Sequence, residues 1–486
     1  MSLITTVVGH TTITTTRILG IFDRAAGRKA RLAYRDGEHG AVQVVDEPLH
    51  DAAPYGLVTF QLKGLQGGPV SYGALDYDPA QAPPDPEALL AASNRRVCLQ
   101  PLGPLRVALV SCNDIESHGY PKDRRGAMWR RLAGLVQRRE VDLIVHAGDQ
   151  VYADGDPAGW RPEEGRTAAY RRHYVNTWSH ADVASVMSNC PNVMMWDDHE
   201  IYDGWGSNDN DATEAARARY KCAEQAFREF QVTLNPTEAL SDTGFGWVGK
   251  YGDVAIIGVD SRSQRNWATG NVLGKRQLDG LELKLNELAG LGLKHLFVVL
   301  GTPVVYIPLI AAEKLAATFS PGGLDDIRDG WTASKNRDEC RRFLMSLLNF
   351  AAHSPKTMVT LMGGDIHVGT LATIDTQLGF GPNKLHPRLF QVTASGIARP
   401  GPRGAEAFLL SLITNGGRQE LFNADIQGSL TRVNGSDRPF WVSHRNFAVL
   451  DPSDGKGEWD RFGNLWVTFH TEQASDAKLQ QLLAKG

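Results

Sequence analysis

Hydrophobic and polar positions alternate in the first 100 residues, with the two-residue period of β-strands. Such runs occur at 11–16, 28–34 and 56–62, and clusters of Gly and Asp separate them. Short strands at this spacing predict a small all-β, sandwich-like domain. A stretch rich in Pro and Ala follows at 79–86, which predicts a boundary between an N-terminal domain of residues 1–100 and a second domain of residues 101–486.

Beyond residue 105, apolar runs of strand length alternate with segments of helical periodicity. We predict buried strands at 106–110, 142–147, 192–196, 254–259, 295–300 and 357–362, and later strands at 446–450 and 464–470. We predict helices at 125–139, after a capping box at 211–214, and around 278–288. Strand, helix, strand in succession is typical of parallel crossover units, so we predict an α/β fold for this part.

Five of these apolar runs end in a short polar cluster. The clusters are 111–114, 148–152, 197–200, 260–262 and 363–367. The carboxyl ends of parallel strands converge on one crevice. Together the clusters supply thiol, carboxylate, phenol and imidazole groups, an inventory that suits metal ions. Singly, Asp149 also fits a capping turn and Cys112 a buried apolar side chain, but the set as a whole predicts a multi-metal site.

Each cluster offers a residue type that phosphoryl chemistry needs. A carboxylate must bridge two ions, and Asp149 is the candidate. An imidazole outside the metal shell can protonate the leaving oxygen, and His199 is the candidate. A guanidinium can pair with phosphate oxygens, and Arg262 is the candidate. Asp365 and His367 are two residues apart, so both side chains point to one face of an extended segment.

As a set, these clusters resemble the PhoD-like alkaline phosphatases of the calcineurin-like metallophosphoesterase superfamily. The resemblance covers roughly residues 104–400, with the motifs in the family's order. It implies an α/β, four-layer αββα metallophosphoesterase sandwich behind the N-terminal β domain. It also implies hydrolysis of phosphodiesters, phosphomonoesters or both by in-line attack of a metal-bridging hydroxide, with His199 as general acid or transition-state stabiliser.

The resemblance further implies two or more metal ions. Cys112, Asp149, Tyr152 and either His367 or Asp365 would hold one, for which Fe³⁺ is the candidate. Asp149, Asp198 and again Asp365 would hold a second, with Ca²⁺, Mn²⁺ or Zn²⁺ as candidates. Two alternatives stay open: a phospholipid-cleaving member of the family with an apolar rim from 304–309, and a degenerate module without catalysis.

Composition narrows the partners. The chain has 51 Lys and Arg against 55 Asp and Glu, a net charge of −4, so we predict no specific nucleic-acid binding. The resemblance implies a small phosphate ester as the partner. The five Cys residues form no CxxC pair, which argues against a disulfide scaffold or a zinc ribbon.

We predict no transmembrane segment, since the longest uncharged stretch, 296–312, is short and is interrupted by Gly and Pro. The first residues lack a basic region before their apolar run, so we predict no signal peptide. The sequence alone favours the cytoplasm and the family habit favours export, and neither compartment nor oligomeric state is predicted.

Overall fold

The computed structural model describes residues 3–23, 27–116, 120–208, 210–305, 328–381, 383–402, 418–422, 425–436, 438–473 and 479–484. The described residues form two four-stranded sheets, one six-stranded sheet and one nine-stranded sheet, with helices between many of the strands. The mixed α/β fold predicted from the sequence is therefore confirmed.

The strands before residue 100 are all paired in antiparallel fashion. They are Leu3–Thr11 (β1), Thr16–Phe22 (β2), Lys29–Asp36 (β3), Val42–Pro48 (β4), His50–Ala52 (β5), Tyr55–Leu62 (β6), Val70–Tyr77 (β7) and Arg95–Val97 (β8). One sheet has the order β1-β2-β6-β5 and the other β4-β3-β7-β8.

The threonine run at 11–16 does not continue a strand, contrary to the prediction. Thr11 ends β1 and Thr16 begins β2, and the residues between them make the turn. The Thr12 side chain accepts a hydrogen bond from the Thr15 amide at 3.1 Å. Local hydroxyl-to-backbone bonds of this kind favour a turn, and they outweigh the β propensity of threonine here.

The proline-rich stretch ends in a short helix, Pro86–Ala91 (α1), which the Asp85 side chain caps. The chain then returns to pair β8 with β7. Apolar residues of β1, β2 and β6 share one hydrophobic cluster with residues of the strands that follow residue 106. The division of the chain at residue 100 thus stays a prediction.

The strands that follow form the two larger sheets. They are Val107–Val110 (β9), Leu143–Ala147 (β10), Asn192–Met195 (β11), Glu238–Ala239 (β12), Trp247–Tyr251 (β13), Val254–Gly258 (β14), His295–Val299 (β15), Met358–Gly363 (β16), Thr370–Thr376 (β17), Arg388–Thr393 (β18), Arg418–Phe422 (β19), Ile426–Thr431 (β20), Asn446–Asp451 (β21), Leu465–Thr471 (β22) and Gln480–Leu483 (β23).

Parallel strands lie in the middle of both larger sheets. The six-stranded sheet has the order β11-β10-β9-β21-β22-β23, with β9 to β11 parallel. The nine-stranded sheet has the order β12-β13-β14-β15-β16-β18-β17-β20-β19, with β14, β15, β16 and β18 parallel. Their carboxyl ends carry the polar clusters, as predicted for an α/β sheet.

The remaining helices include all those predicted and others that the sequence did not reveal. Their bounds are Lys122–Arg125 (α2), Ala127–Gln137 (α3), Arg166–Ser179 (α4), Ala181–Met187 (α5), Glu214–Phe230 (α6), Lys275–Ala289 (α7) and Arg337–His353 (α8), with 3₁₀ turns at Pro162–Glu164, Asp198–Glu200 and Val232–Leu234. The predicted cap of α6, Asp211, lies two residues too early, because Thr213 caps the helix. Among the described residues, no helix combines the length and apolar character needed to cross a membrane.

Candidate metal centre

The polar clusters meet where strand-end loops of the two larger sheets contact each other. The loop after β9 bonds to the loop after β10, since the Asn113 amide donates to the Asp149 carbonyl at 2.8 Å. The loop after β16 comes from the other sheet and fits closely against both. A Cβ on Gly364 would lie 2.3 Å from the Ala147 carbonyl oxygen and 2.4 Å from the Ser111 hydroxyl. Glycine is required there because the two sheets approach too closely for a side chain.

Carboxylates form the centre of this site. The structure holds two overlapping groups whose ligand atoms lie within 4.8 Å of one another: Asp149, Asp198 and His199, and Asp149, Asp197, Asp198 and Asp365. Asp149 and Asp198 belong to both groups. The predicted ligands Asp149, Asp198 and Asp365 are thus brought together, and Asp197 joins them although the sequence analysis assigned it no role.

The other predicted ligands flank the carboxylates. The Cys112 thiol donates to Asp149 Oδ2 at 3.3 Å, so it lies directly beside the centre. Tyr152 Oη and His367 Nε2 are 3.3 Å apart. The Tyr152 ring also packs on the His199 ring, with centroids 4.1 Å apart. Thiol, phenol and imidazole are therefore next to the carboxylate groups, as the strand-end pattern predicted.

The backbone at the centre is strained. Outside glycine, six described residues have a positive φ, and four of these are predicted ligands: Cys112 (53°), Asp149 (56°), Asp365 (65°) and His367 (55°). Left-handed backbone at such residues costs about 1–3 kcal/mol each and persists only where the surroundings enforce it. The surrounding structure thus holds these four residues in an unfavourable backbone conformation, which directs their side chains toward the crevice.

The electrostatics of the centre favour a cation. Burial raises the pKa of Asp149 well above its ordinary value, against the charge of His199, and Asp198 and Asp197 raise it further. Burial, and then the charges of Asp197 and Asp198, raise the pKa of Asp365 well above its ordinary value. Burial raises the pKa of Asp197 to about 6 although Arg262 opposes it. Crowded carboxylates of this kind need positive charge to ionise together.

Unpaired oxygens show where that charge fits. Asp149 Oδ1 and Asp197 Oδ2 are buried and accept no hydrogen bond from any described residue. Leaving a buried acceptor unpaired costs about 1–3 kcal/mol, and more when it is charged. Metal ions would satisfy both oxygens and neutralise the crowded carboxylates. The donor set of this chain therefore fits metal ions.

His199 is held by a carboxylate on its far side. His199 Nδ1 lies 2.8 Å from Asp154, whose carboxylate also accepts from the Asp203 amide at 2.8 Å. Burial disfavours a charge on the imidazole, but Asp198, Asp149 and Asp154 outweigh it, and the pKa of His199 lies well above its ordinary value. Asp154 was noted in the sequence only as lying near Tyr152. Its contact with His199 follows from the loop after β10, which sequence spacing did not reveal.

Arg262 lies in a buried ionic network. Its side chain is 0% exposed, and it contacts Asp197, Asp198 and Asp329. Nη1 also donates to the Trp205 carbonyl at 3.0 Å. These contacts use the guanidinium on protein groups, which favours a role in orienting Asp197 and Asp198 over the phosphate contact predicted from the sequence.

Two further residues support the centre and were missed by the sequence analysis. The Glu200 carboxylate accepts from the amides of Asp149, Gln150 and Asp197 at 2.7–2.9 Å, so it ties two ligand loops together. Ser395 Oγ lies 3.0 Å from Cys112 Sγ and accepts from the His367 amide at 2.8 Å. The signal for Ser395 was present, because it follows the end of β18 as the other clusters follow their strands.

Comparisons with known proteins agree with this geometry. The family model of PhoD-like phosphatases matches residues 107–407. Alkaline phosphatase D of Bacillus subtilis (strain 168) is 24% identical over 333 residues, which is 64% of this chain and 51% of that protein. An uncharacterized protein of Saccharomyces cerevisiae, YGR266W, is 21% identical over 411 residues, 62% of this chain and 57% of that protein. The chain thus spans little more than half the length of these curated relatives.

Solved structures show the same fold. A structure of PhoD has a TM-score of 0.63 and 14% identity, with 99% of this chain and 88% of that chain covered. Purple acid phosphatase PPD1 from yellow lupin seeds has a TM-score of 0.56 and 13% identity, with 99% and 74% covered. The family model spans more than half of the chain, and its matched region contains every predicted site residue. This protein therefore belongs to the PhoD-like phosphatase family.

Proposed function

We propose that this protein hydrolyses phosphate esters with metal ions held by the carboxylates around Asp149. The observation that carries the proposal is the position of Asp149 in both ligand groups, buried and with one oxygen unpaired. A carboxylate shared by two sites is what a two-metal phosphoesterase needs. Family membership and the likeness to alkaline phosphatase D support the same reaction class.

The ligands divide into a softer and a harder set. Cys112, Tyr152 and His367, with Asp149, would hold one ion, and Asp149, Asp198 and Asp365 would hold the second. Burial and the charge of Arg399 lower the pKa of His367 to about 3, so its imidazole is neutral and free to ligate. Thiolate and phenolate ligands favour iron in the first site, whereas carboxylates suit calcium, manganese or zinc in the second. Such ions would activate water and neutralise charge on the phosphate.

We assign proton donation to His199. Its Nδ1 is held by Asp154, which leaves Nε2 for the leaving oxygen. The neighbouring carboxylates raise the pKa of His199, which favours the protonated form that a general acid requires. His199 also belongs to one of the two ligand groups, and the metal content of His199→Ala distinguishes a proton donor from a metal ligand.

We also propose the finer architecture predicted from the sequence. The six- and nine-stranded sheets would be the inner layers of the αββα sandwich, with helices such as α3 and α7 outside them. Residues 1–100 would be the N-terminal β domain. The shared hydrophobic cluster described above indicates that this domain packs firmly on the rest.

The alternatives gain no support from the described residues. The apolar rim expected of a phospholipid-cleaving enzyme would come from 304–309, of which 306–309 lie outside the described residues. Val304 and Val305 are buried, with amides that donate to Gln391. A degenerate module predicts missing ligands, whereas Asp149, Asp198 and His367 are all in place. Both readings stay predictions.

Hydrolysis of p-nitrophenyl phosphate beside bis-p-nitrophenyl phosphate, at neutral and alkaline pH, tests this function. We expect the metal-loaded protein to turn over at least one ester, and the ratio of the two rates gives the preference for monoester or diester. Buffer with the same metals and no protein is the control, because free ions also hydrolyse activated esters slowly. Absence of turnover of either ester by protein with bound metal would contradict the proposal.

A further inference from the structure

A second arginine, Arg399, lies at the edge of the metal centre. It follows β18, and its backbone amide donates to the Cys112 carbonyl at 3.2 Å. Its guanidinium carbon lies 4.8 Å from the centroid of the Tyr152 ring. Arg399 therefore contacts two of the predicted ligands, Cys112 through its backbone and Tyr152 through its guanidinium. The sequence analysis gave this segment no role.

Most N–H donors of the Arg399 guanidinium have no acceptor among the described residues. Nη1 donates to the Asp114 carboxylate at 3.0 Å, and no other side chain in the described part of the chain accepts a hydrogen bond from this guanidinium. Its side chain is 37% exposed. An arginine carries five N–H donors in a rigid fork that matches a phosphate group. Asp114 fixes one side of the fork, so the other side can meet a ligand in the crevice.

Arg262 presents the opposite situation. It is fully buried, and Asp197, Asp198 and Asp329 already surround it. A phosphate oxygen would have to displace one of these carboxylates and enter a region closed to solvent. Between Arg262 and Arg399, it is Arg399 that combines proximity to the centre with exposure.

We infer that Arg399 is the catalytic residue that binds the phosphate group of the substrate, in the place predicted for Arg262. The inference rests on the proposed hydrolysis of phosphate esters and adds the group that recognises the phosphoryl oxygens. Bidentate pairing would hold the phosphate against the carboxylate centre. The same contact would offset negative charge as the leaving oxygen departs.

Arg399→Gln and Arg399→Lys test this role. For Arg399→Gln we expect kcat/KM to fall, and the inhibition constant for inorganic phosphate to rise, by roughly 10- to 100-fold each, as for the loss of a charge-assisted pair. Arg399→Lys should recover part of both, because it restores the charge without the fork. Metal content should be unchanged. Arg438→Gln is the matched control, since Arg438 also lies over an aromatic ring, Trp441, and is exposed.

Binding of inorganic phosphate to the metal-loaded proteins, measured by calorimetry, separates this inference from the proposed function. If the wild type binds phosphate but Arg399→Gln binds it equally well, the assignment is wrong. The same holds if Arg399→Gln loses its metal, because Arg399 would then support the ligands. If the wild type hydrolyses neither ester, the proposed function fails, and weaker phosphate binding by Arg399→Gln would still support the anion contact.

Discussion

Replacing Asp149 by Asn is expected to abolish metal binding at the shared position and nearly all phosphoester hydrolysis. Asp149 contributes to both ligand groups, so one substitution weakens both. Loss of one charged partner from a buried ionic site costs about 3–5 kcal/mol, which corresponds to a fall of at least about a hundredfold, and a thousandfold near the middle of that range. Metal content and kcat/KM, measured on the same preparation, report the result.

The same substitution should not destabilise the metal-free protein. Asp149 is buried among carboxylates that repel it, and removing its charge relieves that repulsion. We therefore expect metal-free Asp149→Asn to unfold at a urea concentration no lower than that of the metal-free wild type. Asp338→Asn is the control, because Asp338 is exposed in the first turn of α8. Retention of metal and turnover by Asp149→Asn would contradict the role of Asp149 as the shared ligand.

Replacing His199 by Ala is expected to have an effect of similar size on turnover, but without loss of metal. The metal content should stay at the wild-type level, while kcat falls by about 10²- to 10⁴-fold, the usual contribution of a general acid. The loss should be greatest for alkyl phosphates, whose leaving oxygen needs a proton, and smallest for p-nitrophenyl phosphate. Asp154→Asn should give a weaker version of the same pattern, since Asp154 orients the imidazole and helps to raise its pKa but does not itself donate the proton.

Two results would overturn this assignment of His199. Full activity of His199→Ala toward an alkyl phosphate would exclude proton donation. Loss of metal from His199→Ala would place the imidazole among the ligands, which its position in the group with Asp149 and Asp198 also permits.

The strand-end pattern in the sequence predicted that the polar clusters lie close together, because this proximity follows in large part from topology. The carboxyl ends of parallel strands meet at one edge of a sheet, so the clusters after β9, β10 and β11 lie together in the six-stranded sheet. The cluster after β16 joins them only because the nine-stranded sheet packs against that edge. The proximity of Cys112, Asp149 and Asp198 could therefore be predicted from the sequence, while the roles of these residues as metal ligands stay predictions. The resemblance to a known family then supplied the reaction class.

The strand-end pattern could not predict in which direction each side chain points within the crevice. Arg262 follows β14 as expected, but its guanidinium is turned into the protein, where it forms ion pairs with Asp197 and Asp329. Both carboxylates are far from Arg262 in sequence. Arg399 reaches the centre through a loop whose path depends on tertiary contacts with Cys112. The contact of Asp154 with His199 likewise depends on the path of a loop, the one that follows β10. Such contacts depend on side-chain rotamers and loop paths, which residue spacing does not encode.

Some elements escaped prediction because their burial is not one-sided. Helix α4 buries Arg171 and His173 together with its apolar residues, so it has no clean hydrophobic stripe. The ion pair of Arg171 with Glu229, at 2.7 Å, compensates that burial and comes from a different helix, α6. Hydrophobic periodicity registers the polar residues of α4, but it does not register the ion-pair partners that allow these residues to be buried.

The most direct test of the central claim is to strip the metals and titrate them back while measuring bound metal and hydrolysis of p-nitrophenyl and bis-p-nitrophenyl phosphate together. Iron should be added with calcium, manganese or zinc, to match the softer and harder ligand sets. The account predicts an inactive stripped protein whose turnover rises with bound metal and levels off when about two ions are bound per chain. Hydrolysis that persists in protein shown to contain no metal would contradict it.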